Sequence, residues 1–599
     1  MQLQAIDWVF VISFFAVSLA VGLIVARRAG RSISEYFLSS RNMPWVLLGV
    51  SMVATTFSTD TPNLVTDIVR NNGVAGNWLW WAFLLTGMLT VFVYANLWRR
   101  SGVVTDVEFY ELRYSGRMAA FLRGFRGLYL GVFFNIVIMA SVNLAAIKIG
   151  GVLLGLTPVQ TLVVAAIVVV TYSTLGGLRG VLITDLIQFV IAMIGAIVAA
   201  IVAVQRPEVG GLGGLLSNEA LRGKLSILPD FSNTALLMTV FIVPLAVQWW
   251  SVWYPGSEPG GGGYVAQRML AARGENDAIK ATFLFQAAHY ALRPWPWIIV
   301  ALSSIIVFPN LESLRAAFPN ADPSFVRHDM AYPAMLTFLP AGLLGLVVTS
   351  LIAAYTSTIS THLNWGSSYV VNDFYKRFIK PDAGEREHVL VGRIATVVLM
   401  VVACILSLFM SNALQVFNIM LQIGAGTGLL FILRWFWWRI NPWSEITAMV
   451  VSFLVAVYFT FIHGPIGGGE LTDWQQLLIG IAITTVAWVG VTFVTAPSDH
   501  KTLRSFYKLV RPSGRGWNAV LRRAAADGER IEVSGMRGVL PLGILCMVLG
   551  CFAIYGALFA AGSFIYGNIV PAIILTVVTA GAVAGLAWAW PKLRESQRG

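Results

Sequence analysis

Charge is what this 599-residue chain has least of: 12% of its residues are Asp, Glu, Lys or Arg, where soluble proteins carry roughly 25%. With 57% hydrophobic residues and a mean hydropathy of +0.74, a water-soluble globular domain is excluded. Cysteine is scarcer still. Cys404, Cys546 and Cys551 all fall in apolar stretches, with no CxxC or Cys/His pattern, which excludes a disulfide framework and argues against a zinc site. The histidines, His289, His328, His362, His388, His463 and His500, form no HExxH and no close pair. A membrane enzyme therefore finds no catalytic constellation. No Lys-Ser/Thr follows the glycines at 260–263, so they form no phosphate loop.

What the chain has in abundance is apolar runs of about 20 residues, each long enough to cross a bilayer. Fifteen spans are expected: 7–27, 43–66, 75–98, 126–152, 158–178, 182–205, 235–254, 282–308, 336–369, 390–411, 415–433, 445–463, 474–495, 539–561 and 570–590. The first reads as a signal anchor with its N-terminus outside, because its basic cluster Arg27, Arg28 and Arg31 follows the apolar stretch. With that orientation 33 of the 41 Lys/Arg fall in inward loops and 6 in outward loops, with Lys148 and Arg293 inside spans. That is a strong positive-inside bias, and it puts the C-terminus in the cytoplasm of a multi-pass cell-membrane protein. The net charge of +12 then reports orientation and attraction to anionic lipid, not nucleic-acid binding. The longest inward loop, 496–538, reads as a basic, flexible segment facing lipid.

Two spans look interrupted. Span 43–66 carries Ala54-Thr55-Thr56-Phe57-Ser58-Thr59-Asp60-Thr61-Pro62-Asn63, a polar run ending in proline. Span 235–254 contains Pro244, then Gln248-Trp249-Trp250-Ser251, followed by Pro255 and a glycine run after Glu258. Proline frees backbone carbonyls, which a membrane tolerates only where protein or a cavity satisfies them. Breaks five spans apart point to a transporter site between inverted repeats; two ordinary kinks are the alternative. Span 336–369 adds seven Ser/Thr within 349–361, yet no Lys, Arg, Asp or Glu lies between Asp329 and Asp373. Such a lining suits an alkali cation, which needs only neutral oxygens.

Three stretches resemble the solute:sodium symporter family. They are Gly176-Gly177-Leu178-Arg179 through Thr184-Asp185 to Gln188; Gln267-Arg268 with Leu270-Ala271-Ala272-Arg273; and Ala353-Ala354 with Ser357-Thr358, Asn364, Asp373, Tyr375 and Lys376. The resemblance covers about residues 7–495. It implies an all-α integral membrane fold with a five-plus-five inverted-repeat core over 43–433, whose first and sixth core helices are discontinuous. One extra helix precedes the core and four follow it over 445–590. It implies a sodium ion held by the carbonyls of Ala54, Phe57 and Ala354 and the hydroxyls of Ser357 and Thr358. A second sodium would use Asp185, Ser357, Ser360 and Thr361. The blander readings are hydroxyls bonded back to their own helix and an Asp185 paired with Arg179.

The expected activity is sodium-coupled import of a small polar organic solute by alternating access, with two sodium ions per cycle and no catalysis. Candidate solute contacts are Asp60, Trp80, Trp81, Gln248, Trp249, Trp250 and Gln415 or Gln422. Lys148 would meet an anionic solute or snorkel outward, and Arg293 would satisfy a local break beside Pro294. The insertion Glu258–Gly263 departs from the family pattern and puts any transferred solute contact in doubt. A channel, a membrane enzyme and a sensor on a transporter core are the rival classes; the sensor would need a signalling domain beyond Gly599.

Overall fold

The computed structural model describes residues 3–29, 32–252, 258–319, 326–410, 420–421, 423–424, 426–531 and 539–598. Among them the regular structure is helical, with a single bridge pair between Met43 and Ala272. That is what lipid demands, since only a helix or a closed barrel satisfies its own backbone there. Eleven helices among the described residues are long and apolar enough to cross a bilayer, and shorter apolar helices occupy Trp45–Thr56, Pro158–Thr171 and Thr234–Ala246. Each expected span holds helix among its described residues; in 415–433, where 415–419, 422 and 425 lie outside the described residues, it is Gly428–Leu433.

Core helix one is broken, as expected, but not by its proline. Its first half, Trp45–Thr56, ends at Phe57 (φ −93°, ψ 76°), and its second half, Asp60–Asn72, has already begun before Pro62. Pro62 sits in the first turn, where an N–H would have no helical partner anyway. What holds the break open is satisfaction of the freed carbonyls by hydroxyls. Thr358 Oγ1 donates to Thr55 O at 2.8 Å, and Thr61 Oγ1 donates to Thr56 O at 3.3 Å.

Core helix six is interrupted more widely. Its first half, Thr234–Ala246, ends at Val247, a short turn covers Gln248–Trp250, and the next helix among the described residues is Gly263–Ala271. The Glu258–Gly262 turn therefore lies inside the break rather than after it. Gln267 and Arg268 stand on the second half.

Core helices three (Gly116–Leu154) and eight (Leu343–Ile379) are the two longest spans, at 39 and 37 residues. They stand five spans apart, as an inverted repeat requires. Small residues let them approach: a Cβ on Gly131 would lie 2.7 Å from the Tyr369 side chain, and Asn135 Nδ2 donates to His362 O at 2.8 Å. Core helices four and five form one continuous run, Pro158–Val204, interrupted at Gly177. Its φ of 54° is a backbone position side chains rarely adopt, which explains the glycine of that motif.

The extra N-terminal helix, Ala5–Ala29, is pinned to core helix eight. Asp7, 1% exposed, accepts from Gly342 N at 2.7 Å and Gly345 N at 2.8 Å, at the positive end of that helix's dipole. Asp7→Ala should remove about 1.5–3 kcal/mol of stabilisation, read as a lower unfolding temperature of the purified protein. An unchanged temperature would show the anchor to be idle.

The 496–538 loop departs from expectation: its described part is folded. Helix His500–Val510 and helix Asn518–Ala526 flank Trp517. Trp517 is fully buried, donates to Trp435 O at 2.9 Å, and has the Arg113 guanidinium 4.7 Å above its ring. Periodic aromatics among the arginines, Phe506, Tyr507 and Trp517, are what give this basic segment something to pack.

Candidate functional site

The hydroxyl run of core helix eight faces the break in core helix one. Thr358 Oγ1, besides meeting Thr55 O, donates to Ala354 O at 3.1 Å. Ser357 Oγ donates to Asp185 Oδ1 at 2.7 Å, reaching across to core helix five. Ala54 O accepts from Phe57 N at 3.1 Å across the break. Carbonyl oxygens of the break, the carbonyl of Ala354, two adjacent hydroxyls and a carboxylate thus meet where three helices cross. Asp185, Thr358 and Thr361 have no solvent exposure and Ser357 has 1%. A buried cluster of oxygens with one carboxylate can replace the hydration shell of a small cation.

Not all the expected oxygens point there. Ser360 Oγ donates to Ser357 O at 3.1 Å, so its hydroxyl is turned to its own helix, as are Thr349 and Ser350. Thr361 Oγ1 accepts from Arg268 Nη2 at 2.8 Å and from Thr55 Oγ1 at 3.1 Å. Asp185 does not pair with Arg179. Its other oxygen accepts from Ser51 Oγ at 2.5 Å, and Arg268 in turn donates to Ser51 from Nε and Nη2, each at 3.2 Å. The cation nearest the carboxylate is therefore a guanidinium one hydroxyl away. Ser51, Thr55 and Arg268 were missed as site residues, although Arg268 stood in a quoted motif. Their signal in the sequence is a Ser and a Thr four apart on one helix face.

The expected solute contacts fare differently. Lys148 neither snorkels nor stands free: Nζ lies 2.5 Å from Asp329 Oδ2, with side chains 1% and 5% exposed. Trp81 is fully buried in an aromatic cluster with Trp78, Trp80 and Phe559, which makes it packing. Asp60 accepts from Ser58 Oγ at the start of its half-helix, where the helix dipole favours a carboxylate. Gln248 Nε2 donates to Leu79 O at 3.0 Å, and Trp249 O accepts from Thr86 Oγ1, so both tie core helix six to core helix two, Val74–Ser101. Gln415 and Gln422 lie outside the described residues.

A cavity opens beside the break instead. Its polar walls are Thr56, Thr86, Thr90, Glu258, Gln286 and His289, with Tyr290 completing one side. Tyr290 stacks on Trp80 at 5.8 Å and 22°. His289 is held from behind by Arg293, whose Nη2 lies 2.6 Å from His289 Nδ1, and Thr56 Oγ1 lies 3.0 Å from the same nitrogen. Arg293 thus braces the cavity wall rather than mending its own helix alone.

Residues 36–452 match the sodium:solute symporter family model. A sodium/glucose cotransporter of Vibrio parahaemolyticus is 26% identical over 512 residues, covering 83% of this chain and 92% of that protein. A sodium/mannose cotransporter of Bos taurus is 27% identical over 513 residues, covering 80% and 83%. The solved structure of a Na+-coupled sialic acid symporter in a substrate-bound, outward-open state superposes with TM-score 0.64 at 20% identity, covering 83% of this chain and 99% of that one. These relatives are cotransporters, not enzymes, and the last of them fixes the fold as the inverted-repeat one. The chain belongs to the sodium:solute symporter family.

Proposed function

We propose that this sodium-coupled membrane symporter imports a small polar organic solute, a sugar, an amino acid or an organic acid, with two sodium ions per cycle. The reading is carried by one observation: Thr358 reaches the break in core helix one while its neighbour Ser357 reaches Asp185. The first sodium would take the carbonyls of Ala54, Phe57 and Ala354 with Ser357 and Thr358. The second would take Asp185 and Ser357, with Thr361 admitted if Arg268 moves; Ser360 would join it only after a change of rotamer. Both ions would hold core helices one, five and eight together, and the solute would occupy the cavity beside Thr56. Because ion and solute share core helix one, each should tighten the other's binding.

The unit that rearranges would be 43–433, with 7–27 and 445–590 peripheral, the N-terminus outside and the C-terminus cytoplasmic. Reconstituted in liposomes, the protein should accumulate a solute from a panel of sugars, amino acids and organic acids under an inward sodium gradient and not under choline. Uptake should rise sigmoidally with sodium. Equal accumulation in choline would refute symport, and a hyperbolic sodium dependence would count against the second ion.

A further inference from the structure

A cleft far from the oxygen cluster has no task in solute or ion binding. It lies where the end of core helix two that the proposed topology turns to the cytoplasm meets the last two helices, Val539–Ile565 and Ile569–Arg598. One wall is apolar, formed by Phe92, Val93 and Leu97 of core helix two with Val539 and Leu540. The mouth is polar and cationic, with Arg100, Arg511 and Ser513, and no Asp or Glu lines the cleft among the described residues. Arg100 is already committed. Its Nε lies 3.0 Å from Glu275 Oε1, and Nη2 donates to Gln597 O at 2.6 Å, at the C-terminal end of the last helix, where a cation is favoured. Those bonds fix one rim. Arg511 is uncommitted: its side chain is exposed, and its guanidinium makes no hydrogen bond or ion pair among the described residues. It follows helix His500–Val510 in the left-handed conformation, φ 51° and ψ 57°, which is costly for a residue with a Cβ and usual for glycine. An arginine stands where the backbone alone would favour glycine.

We propose that this cleft binds one anionic glycerophospholipid, with its phosphodiester held by Arg511 at the mouth and an acyl chain laid along the apolar wall. The wall continues out of the cleft: Ile544 and Val548 follow Leu540 at intervals of four on the same helix, 40% and 42% exposed, and residues so spaced share a face. That helix is long and apolar enough to cross a bilayer, so its exposed face meets acyl chains. Basic pockets between membrane helices hold anionic headgroups, and an arginine fork matches phosphate oxygens. A free phosphate would leave the apolar wall unused. A choline headgroup would set a second cation beside Arg511 and Arg100. A defined site of this kind differs from diffuse attraction between the net charge of +12 and an anionic surface, because it depends on one arginine.

The test uses the purified full-length protein, delipidated in a neutral detergent and titrated with dioleoylphosphatidylglycerol, dioleoylphosphatidylcholine or inorganic phosphate. Lipid retention is read by native mass spectrometry and unfolding temperature by thermal melting. One phosphatidylglycerol per chain should be retained, with a saturable rise in unfolding temperature that neither phosphatidylcholine nor inorganic phosphate reproduces at the same concentration. Arg511→Gly keeps the left-handed backbone and removes the cation. It should weaken phosphatidylglycerol binding roughly fivefold or more, while its unfolding temperature without lipid should match or exceed that of the native protein. Lys501→Gln, which removes an exposed cation of the same helix outside the cleft, should leave binding unchanged. Equal weakening in Arg511→Gly and Lys501→Gln would mean diffuse attraction and overturn the site. Equal retention of phosphatidylcholine, the same stabilisation by inorganic phosphate, or unaltered phosphatidylglycerol binding in Arg511→Gly would each overturn it as well.

Discussion

Ser357→Ala raises the sodium concentration for half-maximal uptake by roughly tenfold to a hundredfold, the range expected for losing one bond to a charged partner. Ser357 is the one hydroxyl common to both proposed sodium sets. Its loss removes a neutral oxygen ligand from the first, and in the second it strips Asp185 of the 2.7 Å bond that orients Oδ1. Asp185 would keep Ser51, so the variant should still fold. Ser350→Ala serves as control, because that hydroxyl donates only back to Val347 O at 2.8 Å. Equal sodium dependence in Ser357→Ala and Ser350→Ala would remove Ser357 from both sites.

The second large effect is one of stability. Lys148→Met should abolish recovery of folded protein, because breaking a buried ion pair from one side costs about 3–5 kcal/mol against a typical total of about 5–15. The loss is aggravated here: Asp67 faces the same pair, so removing the lysine leaves Asp329 and Asp67 opposed, with the Arg70 guanidinium acting on Asp67. The double variant Lys148→Met with Asp329→Leu, which leaves Asp67 its bond from Asn71 at 2.7 Å, should restore most of the monodisperse fraction on size-exclusion chromatography. A well-folded single variant would mean that water reaches Lys148.

How much of this was legible beforehand depended on the sequence distance over which each interaction acts. The apolar spans and the two breaks follow from local hydropathy and polarity, and among the described residues eleven of the fifteen expected spans hold a helix long and apolar enough to cross a bilayer. The hydroxyl run was legible because seven Ser/Thr in an uncharged helix is a local anomaly, and Ser357 and Thr358 do face outward from core helix eight. Ser360 was not separable from them, since a hydroxyl that back-bonds and one that serves a neighbour have the same spacing. Arg268 reaches Ser51 across 217 positions, and Asp329 reaches Lys148 across 181. Neither contact leaves a trace in any window of sequence. Lys148 therefore reads from sequence as a solute contact or a snorkelling residue, and its partner Asp329 emerges only in the fold. Pro62 misled in another way: the break was real, but the proline belonged to the turn after it.

The aromatic face of core helix two has a consequence for how the protein is made. Tyr555 donates to Trp81 O at 2.7 Å across 474 positions, and Phe559 lies edge-on to Trp81 at 5.6 Å. At about 5–20 residues per second, the ribosome delivers those rings roughly half a minute to a minute and a half after Trp81 has emerged. Through that interval the tryptophans must lie against lipid or the insertion machinery. A helix synthesised late therefore completes one synthesised several hundred residues earlier.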